Sequence, residues 1–451
     1  MNEINEIHAP AEQTLPTRLI DPENKAELSE AAQLLRRGGL VAFPTETVYG
    51  LGANAYDPDA ARRVYAAKGR PSDNPLIVHI AALETAEQIA HTTPLFYRLA
   101  ERFWPGPLTI ILPKKDSIPT SVTGGLNSVG IRFPSDPVAA ELILQSGVPI
   151  AAPSANLSGK PSPTTAAHVI RDLYGRADAI VCGRDCDYGV ESTVVRAQGD
   201  KLTVLRPGAV TPEQLRALLG EENVLIDPTV LQKAAEGMRP QAPGMKYRHY
   251  APCAPVILLR GEPREIRAAL LRCKADGKTG ILCYEEDAAS LKGRLTMSLG
   301  PREDERMQAH RLFACLRAFD ETDAACIYAP LPAKDGIGLA VMSNKDNEHV
   351  GEMTEALFPG AFDAIWGTVE GVPVKPDPAR AFMIARDFGV KPEDVAFVGD
   401  SDVDMMTAKN AGMLPIGVSW GYRSAEVLQD AGAAYVAANS EELYRIIKAI
   451  I

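Results

Sequence analysis

Apolar positions along the chain form short runs that alternate with stretches of helical spacing. Residues 26–37 carry apolar side chains at helical spacing and end at a Gly-Gly pair, which predicts a helix. The apolar run 40–43 that follows is typical of a short buried strand. Further strands are predicted at 108–112, 129–133, 148–152 and 193–196. The alternation of helices and strands predicts an α/β domain over residues 15–225, after a loose tail at 1–14.

The pattern changes after residue 225. Residues 226–255 contain prolines, basic side chains and aromatics without an apolar period, which predicts a restrained linker. This linker is either a plain connector or a lid over a polyanion site. Strands at 256–259, 280–284 and 325–328 predict a second α/β domain over 256–340. A third α/β segment, 341–451, is predicted from strands near 340–345, 394–400 and 415–418.

Length and composition agree with this division. A chain of 451 residues has room for about three domains, and its 46% hydrophobic and 23% charged residues are typical of a globular protein. The net charge of -11 disfavours broad, sequence-independent binding to nucleic acid. The polar, acidic start of the chain and the absence of a long apolar run predict a cytoplasmic protein without membrane contact. The seven cysteines show no paired metal-binding spacing, so we interpret them as reduced thiols.

Several polar constellations in the first domain suit an anionic ligand. Pro71 favours an extended backbone at Arg70, so Lys68 and Arg70 are expected to project to one side, where two cations would suit a triphosphate. Thr45 and Thr47 alternate after the strand at 40–43, which places their hydroxyls on one face. Each of these features alone also fits an ordinary turn or strand.

A second group of small polar residues follows a strand end. Ser154 and Asn156 come directly after the strand at 148–152, a position where phosphate and ribose groups dock in α/β proteins. Ser192 lies before the strand at 193–196, and Arg206 is restrained by the proline that follows it. Together, these features predict a nucleotide site.

The motifs that carry these residues occur in a characteristic order: PTETVYGLG, KGRPSDNPL, SVGIRFP, PSANLSG, ESTVV and LRPG, followed by PGMKYRHYAP in the linker. In this order they resemble the threonylcarbamoyl-AMP synthases, specifically the two-domain Sua5 form, over about residues 15–340. The resemblance implies a YrdC-like α/β domain with a twisted mixed sheet, a linker and a small Rossmann-like α/β domain.

The resemblance also implies a reaction and a set of site residues. L-threonine, bicarbonate (or CO2) and ATP, with Mg2+, would give threonylcarbamoyl-AMP and pyrophosphate, and the product would pass to a transferase that modifies adenosine 37 of tRNA. Threonine would be held by Thr47, His79, Arg132, Ala152 and Ser192. ATP would be held by Arg70, Asn74, Ser128, Ser154, Ser162 and Arg206. Lys68 and Arg70 would act beside the phosphates, and Tyr250 would close over the pocket as part of the linker lid.

The segment 341–451 resembles a different superfamily. Ser343, Lys375, Asp400 and Asp404 lie in motifs similar to the second, third and fourth motifs of the haloacid dehalogenases, closest to phosphoglycolate phosphatases. The resemblance implies a phosphoryl site at the serine and lysine and a Mg2+ ligand at Asp400. The D-x-D-x-T motif that carries that family's nucleophile is absent, since none of the pairs at 57–59, 185–187 and 402–404 is followed by a threonine at the motif spacing.

Without the nucleophile we expect no phosphatase activity from this partial Rossmann-like segment. Its central strand is missing with the motif, so a packing gap is expected. The junction near 336–341 is either a natural fusion or an artefact of gene truncation. Two other functions remain as alternatives: a module that binds double-stranded RNA or the ribosome, with at most a weak RNA contact in the synthase case, and a phosphatase of the haloacid dehalogenase type.

Overall fold

We describe the protein from a computed structural model, which covers residues 16–230, 251–259, 263–331, 338–358, 362–388 and 390–450. Two compact units are present: Met1–Ile257 with Leu270–Ala329, and Leu258–Ala269 with Pro330–Ile451. Within the described residues, no helix is both long and apolar enough to cross a membrane. The predicted linker core and Tyr250 lie outside the described residues.

Helices and strands alternate through both units. Helices α1 to α15 span, in order, Lys25–Arg36, Pro58–Lys68, Leu83–Ile89, Pro94–Phe103, Pro137–Ser146, Ala166–Leu173, Pro212–Leu219, Pro263–Arg272, Glu285–Ala288, Glu305–Phe319, Asn347–Leu357, Ala379–Phe388, Asp402–Ala411, Ala425–Asp430 and Ser440–Ile450. Strands β1 to β20 span Arg18–Ile20, Val41–Phe43, Gly50–Asn54, Ile77–His79, Leu108–Pro113, Ser128–Arg132, Ile150–Ala152, Ala179–Val181, Thr193–Gln198, Lys201–Arg206, Val224–Ile226, Val256–Leu259, Thr279–Cys283, Leu295–Ser298, Cys326–Pro330, Ala340–Asp346, Ala364–Thr368, Ala396–Gly399, Leu414–Val418 and Tyr435–Ala437.

The first eleven strands form one mixed sheet, in the order β1-β8-β2-β3-β7-β4-β6-β5-β9-β10-β11. At its centre β4 runs parallel to β6 and antiparallel to β7. Both faces are covered: within β2, Val41 and Phe43 belong to one buried apolar cluster and Ala42 belongs to another. The predicted α/β class with a mixed sheet is thus confirmed.

Local signals set the ends of the helix that precedes the first basic motif. Asp57 caps α2 by accepting hydrogen bonds from the backbone N–H groups of Asp59 and Ala60, and Pro58 occupies the first turn. The helix continues through Lys68 and ends at Gly69, whose φ of 62° lies in the left-handed region. The backbone is therefore helical at Lys68 and left-handed at Gly69, so the two basic residues do not lie on one extended segment.

Strands β12 to β15 form a second, smaller sheet in the order β12-β15-β13-β14. Strand β13 is parallel to both β14 and β15, as in a Rossmann-like domain. Phe319, the last residue of α10, packs on β13 at Gly280, where an added Cβ would lie 2.8 Å from the Phe319 ring. Strands and helices alternate in this part of the chain, as in the rest of the α/β fold.

The last five strands lie in two separate parallel sheets, β16-β17 and β18-β19-β20. Buried alanines of α12 and α13, such as Ala381 and Ala408, form their main apolar cluster. Val398 in β18 remains 39% exposed, although parallel strands are normally covered on both faces. The described strands of this segment thus do not form one continuous sheet.

Candidate functional site

Polar side chains from several strand ends and loops of the large sheet converge on one cleft, about 520 Å³ in volume including its open mouth. Its lining residues come from the loop after β2 and the start of β3, from Arg70 two residues after α2, from β4, β6 and β7 with the residues that follow β7, and from the segments around β9 and β10. They are Thr45, Thr47, Val48, Tyr49, Gly50, Arg70, Ile77, His79, Arg132, Ala152, Pro153, Ser154, Glu191, Ser192 and Arg206. The cleft brings together every residue predicted for threonine, and Arg70, Ser154 and Arg206 from the group predicted for ATP.

Arg132 is a buried cation in the wall of this cleft. Its Nη2 lies 2.7 Å from Oε1 of Glu46, and the two side chains are 4% and 1% exposed. The pair attracts by charge but is not aligned as a hydrogen bond, and Nε of Arg132 and Oε2 of Glu46 also have no hydrogen-bond partner. A buried guanidinium with unfilled donors suits a planar anion such as a carboxylate. Glu46 was not predicted as a site residue, although it lies in the first quoted motif.

His79 lies beside Arg132 because β4 and β6 pair in register at these two residues. Burial and the nearby Arg132 guanidinium lower the pKa of His79 to about 3. Its Nδ1 is 3.2 Å from the carbonyl oxygen of Ile77. Its ring lies edge-to-face with the Phe43 ring, with 6.1 Å between the two ring centroids. The imidazole is therefore neutral near pH 7 and serves as a hydrogen-bonding group.

The two threonines after β2 form a tight turn. The Thr45 hydroxyl donates to the carbonyl oxygen of Val48 at 2.6 Å and accepts from the backbone N–H groups of Thr47 and Val48. Because the Thr45 proton is used in this way, the Thr47 hydroxyl donates to Thr45 across 3.0 Å. Both hydroxyls are buried and fixed at the cleft wall, and Thr47 keeps lone pairs for a ligand.

Arg206, at the end of β10, forms hydrogen bonds with Ser192, the residue before β9. Its Nε and Nη2 donate to the carbonyl oxygen of Ser192 at 3.2 and 2.8 Å, and Nη2 lies 3.2 Å from the Ser192 hydroxyl. Ser192 in turn lies 2.8 Å from the Thr109 hydroxyl on β5. Gly208 permits this packing, since an added Cβ there would lie 2.3 Å from the carbonyl oxygen of Glu191.

Arg70, two residues after the end of α2, lines the cleft with its guanidinium side chain. Its Nε and Nη2 donate to the carbonyl oxygens of Asn74 and Pro75 at 3.3 and 3.1 Å. Asn74 is buried, and its carbonyl oxygen also accepts from the Tyr65 hydroxyl. These bonds fix the guanidinium at the cleft, so Asn74 lies behind Arg70 and does not line the cleft.

Lys68 does not line the cleft. Its ammonium group is buried and donates to the carbonyl oxygens of Ser154 and Asn156, with Oδ1 of Asn156 3.4 Å away. Burial and the charge of Arg70 lower the pKa of Lys68. The expectation that Lys68 and Arg70 project to one side is wrong, because α2 and the left-handed Gly69 separate their directions.

Two further residues predicted for ATP, Ser162 and Ser128, do not line the cleft. Ser162 is fully buried, and its hydroxyl donates to Oε1 of Glu191, the acidic residue of the lining. Ser128 begins β6 opposite Pro113 and is only half-buried. Glu191 was quoted within the ESTVV motif but was not predicted as a site residue.

The residues predicted for a haloacid dehalogenase site form a separate polar cluster in the second unit. Nζ of Lys375 lies 2.6 Å from Oδ1 of Asp404 and 3.4 Å from the Met342 carbonyl oxygen. Arg380, fully buried on α12, donates to the carbonyl oxygens of Ser343 and Gly367 at 2.5 and 2.8 Å.

The carboxylates of this cluster already have protein partners. Asp404 is engaged by Lys375 and Ser401, and Oδ2 of Asp400 accepts from the Tyr422 backbone N–H. Among the residues that the structure describes, no group of three or more His, Cys, Asp or Glu could hold a metal ion. Sequence reasoning missed Arg380, since nothing in its local pattern distinguishes it from an ordinary helical arginine.

Comparison with known proteins gives three family matches along the chain, of which the second and third overlap. The family described as "Telomere recombination" matches residues 33–208, "Threonylcarbamoyl-AMP synthase, C-terminal domain" matches 210–344, and "Haloacid dehalogenase-like hydrolase" matches 331–418. The chain is 46% identical to the threonylcarbamoyl-AMP synthase of Bacillus subtilis (strain 168), over 71% of this chain and 92% of the relative. It is also 46% identical to that of Pyrococcus abyssi (strain GE5 / Orsay), over 69% and 91%. The crystal structure of P. abyssi Sua5 complexed with L-threonine matches with a TM-score of 0.64 and 39% identity, over 78% of this chain and 99% of that chain.

Proposed function

Because the chain belongs to the threonylcarbamoyl-AMP synthase family, we propose that it makes L-threonylcarbamoyl-AMP and pyrophosphate from L-threonine, bicarbonate (or CO2) and ATP. The product would serve a separate transferase that modifies adenosine 37 of tRNA, in the cytoplasm. The observation that carries the proposal is the buried Arg132 guanidinium, which lines the cleft with unfilled hydrogen-bond donors. It offers a charged, desolvated seat for an amino-acid carboxylate.

Threonine would bind across β4, β6 and β7. Arg132 would hold its carboxylate, and the neutral His79 and the hydroxyls of Thr47 and Ser192 would face its polar groups. Ala152 provides a small apolar wall. An analogue that lacks the hydroxyl would leave buried polar groups unpaired, whereas serine would lose only a methyl contact worth about 1–3 kcal/mol. We therefore expect valine to be rejected more strongly than serine.

The chemistry requires no enzyme nucleophile. The threonine amine and bicarbonate form a carbamate with loss of water. A carbamate oxygen then attacks the α-phosphorus of ATP, and the bond from that phosphorus to the bridging oxygen breaks, releasing pyrophosphate. Arg70 and Arg206 would hold the phosphates and offset their charge, together with the Mg2+ that accompanies ATP as part of the substrate.

The other predicted residues would bind the nucleotide or support the residues that do. Ser154 would contact the nucleotide directly, whereas Asn74, Ser128 and Ser162 would act through the elements behind the lining. Lys68 would support the loop after β7 and would not touch the phosphates. The same proposal includes the domains predicted from the sequence, at 15–225 and 256–340 with a linker at 226–255. It also includes the closure of Tyr250, in that linker, over the pocket.

We propose no phosphatase activity for residues 341–451. That segment lacks a D-x-D-x-T nucleophile, and its carboxylate Asp404 is paired with Lys375. Hydrolysis of p-nitrophenyl phosphate by the full chain, with and without Mg2+, tests this statement. A turnover abolished by Asp400→Asn would contradict it.

The synthase proposal is tested by pyrophosphate release from ATP and Mg2+, with threonine and bicarbonate each present or omitted. Release should require both, and Arg132→Ala should abolish the threonine dependence. Arg62→Ala is the matched control, since Arg62 lies exposed on α2 and pairs with Asp59 three residues earlier. Release independent of threonine, or none under any combination, would refute the proposal. A gel shift with salt titration tests the RNA-binding alternative.

A further inference from the structure

We call the part of the chain built on the eleven-stranded sheet the large domain, and the part built on strands β12 to β15 the small domain. We propose that Arg317, on α10 of the small domain, is a positioning residue for the nucleotide side of the cleft in the large domain. This inference rests on the proposed function. It concerns the segment 153–162, here called the serine loop, which carries Ser154 at its start and Ser162 at its end. Arg317 lies outside the cleft lining and acts through this loop.

The contact is buried and specific. Nε and Nη2 of Arg317 both donate to the carbonyl oxygen of Pro161, at 3.0 and 2.6 Å. Nη2 also donates to Oδ2 of Asp172 at 2.8 Å, and the side chains of Arg317 and Asp172 are 4% and 0% exposed. A forked guanidinium can make these bonds at once, whereas an ammonium cannot keep the same geometry.

The held carbonyl belongs to the peptide that leads into Ser162. Fixing that peptide plane fixes the direction of the Ser162 side chain, whose hydroxyl donates to Glu191. Glu191 lines the cleft and precedes Ser192, whose carbonyl oxygen anchors Arg206. Hydrogen bonds and the covalent links between neighbouring residues therefore connect Arg317 to three lining residues, Glu191, Ser192 and Arg206.

Asp172 connects the same arginine to the middle of the serine loop. Its carboxylate accepts from the Leu157 backbone N–H at 3.3 Å and lies 3.4 Å from Nζ of Lys160. Burial alone would raise the pKa of Asp172, but the hydrogen bond and charge of Arg317 lower it. The start of the loop is held separately by Lys68. The loop is thus fixed by one buried cation from each domain.

Helix α10 contacts two other segments that border the cleft. Phe313 and Leu316 pack against Val48, a lining residue. His310 lies against Gly189, where an added Cβ would be 2.2 Å from the His310 carbonyl oxygen, and its Nδ1 is 3.2 Å from the Asp187 carbonyl oxygen. The small domain therefore supports the outer side of the cleft through one helix, and Arg317 is its buried polar contact to the serine loop.

The test compares Arg317→Met and Arg317→Lys with the wild-type full chain. We measure the thermal midpoint, the Kd for ATP with Mg2+ by titration calorimetry, and the KM for ATP and for threonine in pyrophosphate release. The methionine variant should raise the Kd and KM for ATP about tenfold or more, because a displacement near 1 Å costs up to about 100-fold. The KM for threonine should rise less than the KM for ATP, because Ser192 is the one threonine contact on the path from Arg317, and the lysine variant should be intermediate.

Glu321→Gln provides the matched control. Glu321 follows α10 and pairs with Arg171 on α6, so it joins the same two domains, but both side chains are about half exposed. This variant should leave both KM values unchanged, since exposed pairs contribute little.

An unchanged ATP Kd in a folded Arg317→Met chain would overturn the proposal, as would equal rises in both KM values. If the methionine variant does not fold, a wild-type ATP Kd in Arg317→Lys overturns it. If the wild-type chain binds ATP but releases no pyrophosphate, the proposed function fails, and the ATP Kd still decides the role of Arg317. If the wild-type chain does not bind ATP, both fail.

Discussion

Replacing Lys68 by methionine should destabilise the large domain before it affects any chemical step. The substitution keeps the aliphatic length of the side chain and removes the ammonium that donates to the carbonyl oxygens of Ser154 and Asn156. Since Lys68 is only 2% exposed, water cannot replace the lost donor.

Each buried carbonyl left without a donor costs about 1–3 kcal/mol, and removing a desolvated charge returns part of that cost. We therefore expect a net loss of about 2–4 kcal/mol. For a domain of this size, such a loss lowers the thermal midpoint by roughly 5–15 °C.

The assay is thermal unfolding of the full chain without ligands, followed by near-ultraviolet circular dichroism, beside pyrophosphate release measured well below the midpoint. Lys160→Met is the control, because Lys160 lies in the same loop but is 42% exposed, and it should cost less than about 1 kcal/mol. If Lys68→Met keeps the wild-type midpoint and yet loses activity, Lys68 contacts the phosphates, as the family resemblance implies, and our reasoning is wrong.

Three further predictions follow from the same contacts. The His79 imidazole has a pKa near 3 when folded and about 6.5 when unfolded, so its contribution to stability is complete above pH 6.5 and declines as the pH falls toward 3. Urea unfolding at pH 7 and pH 5 should show wild type losing about 2 kcal/mol more than His79→Gln over this interval, and equal losses would contradict the buried neutral imidazole. Arg206→Met should raise the KM for ATP about 10- to 100-fold by removing charge-assisted hydrogen bonds, and steady-state kinetics showing a rise only in the KM for threonine would exclude a nucleotide contact. Lys375→Met leaves Asp404 buried without its partner and should destabilise the second unit by about 3 kcal/mol in denaturant unfolding, whereas a loss of pyrophosphate release at full stability would refute the separate role of that cluster.

Much of the fold followed from local pattern. The predicted helix at 26–37 is observed as Lys25–Arg36, and the strand predicted at 256–259 is observed as Val256–Leu259. Such elements are set by apolar period, caps and glycine stops within a few residues, so sequence reasoning finds them. The order of strands in the large sheet could not be predicted in this way, because neighbours such as β5 and β9 are far apart in the chain.

The candidate site was predicted in part. Arg132, His79 and Arg206 lie together in the cleft, as the ordered motifs implied. Glu46 and Arg317 were missed, since a charged residue inside a motif or on a helix has no local sign of burial. Their burial becomes evident only when the partner segments are assembled.

The sequence by itself determined the order of elements, the family motifs and the chemical groups available to the site. Only the tertiary structure decided the roles of the cations. Arg70 lines the cleft, whereas Lys68 donates a hydrogen bond to the carbonyl oxygen of Ser154, which lies 86 residues later in the sequence. It likewise decided that Arg317 donates to the carbonyl oxygen of Pro161, which lies 156 residues earlier in the sequence. The physical reason is that backbone preferences act over a few residues, whereas the burial of a charge and its hydrogen-bond partners depends on which distant segments pack around it.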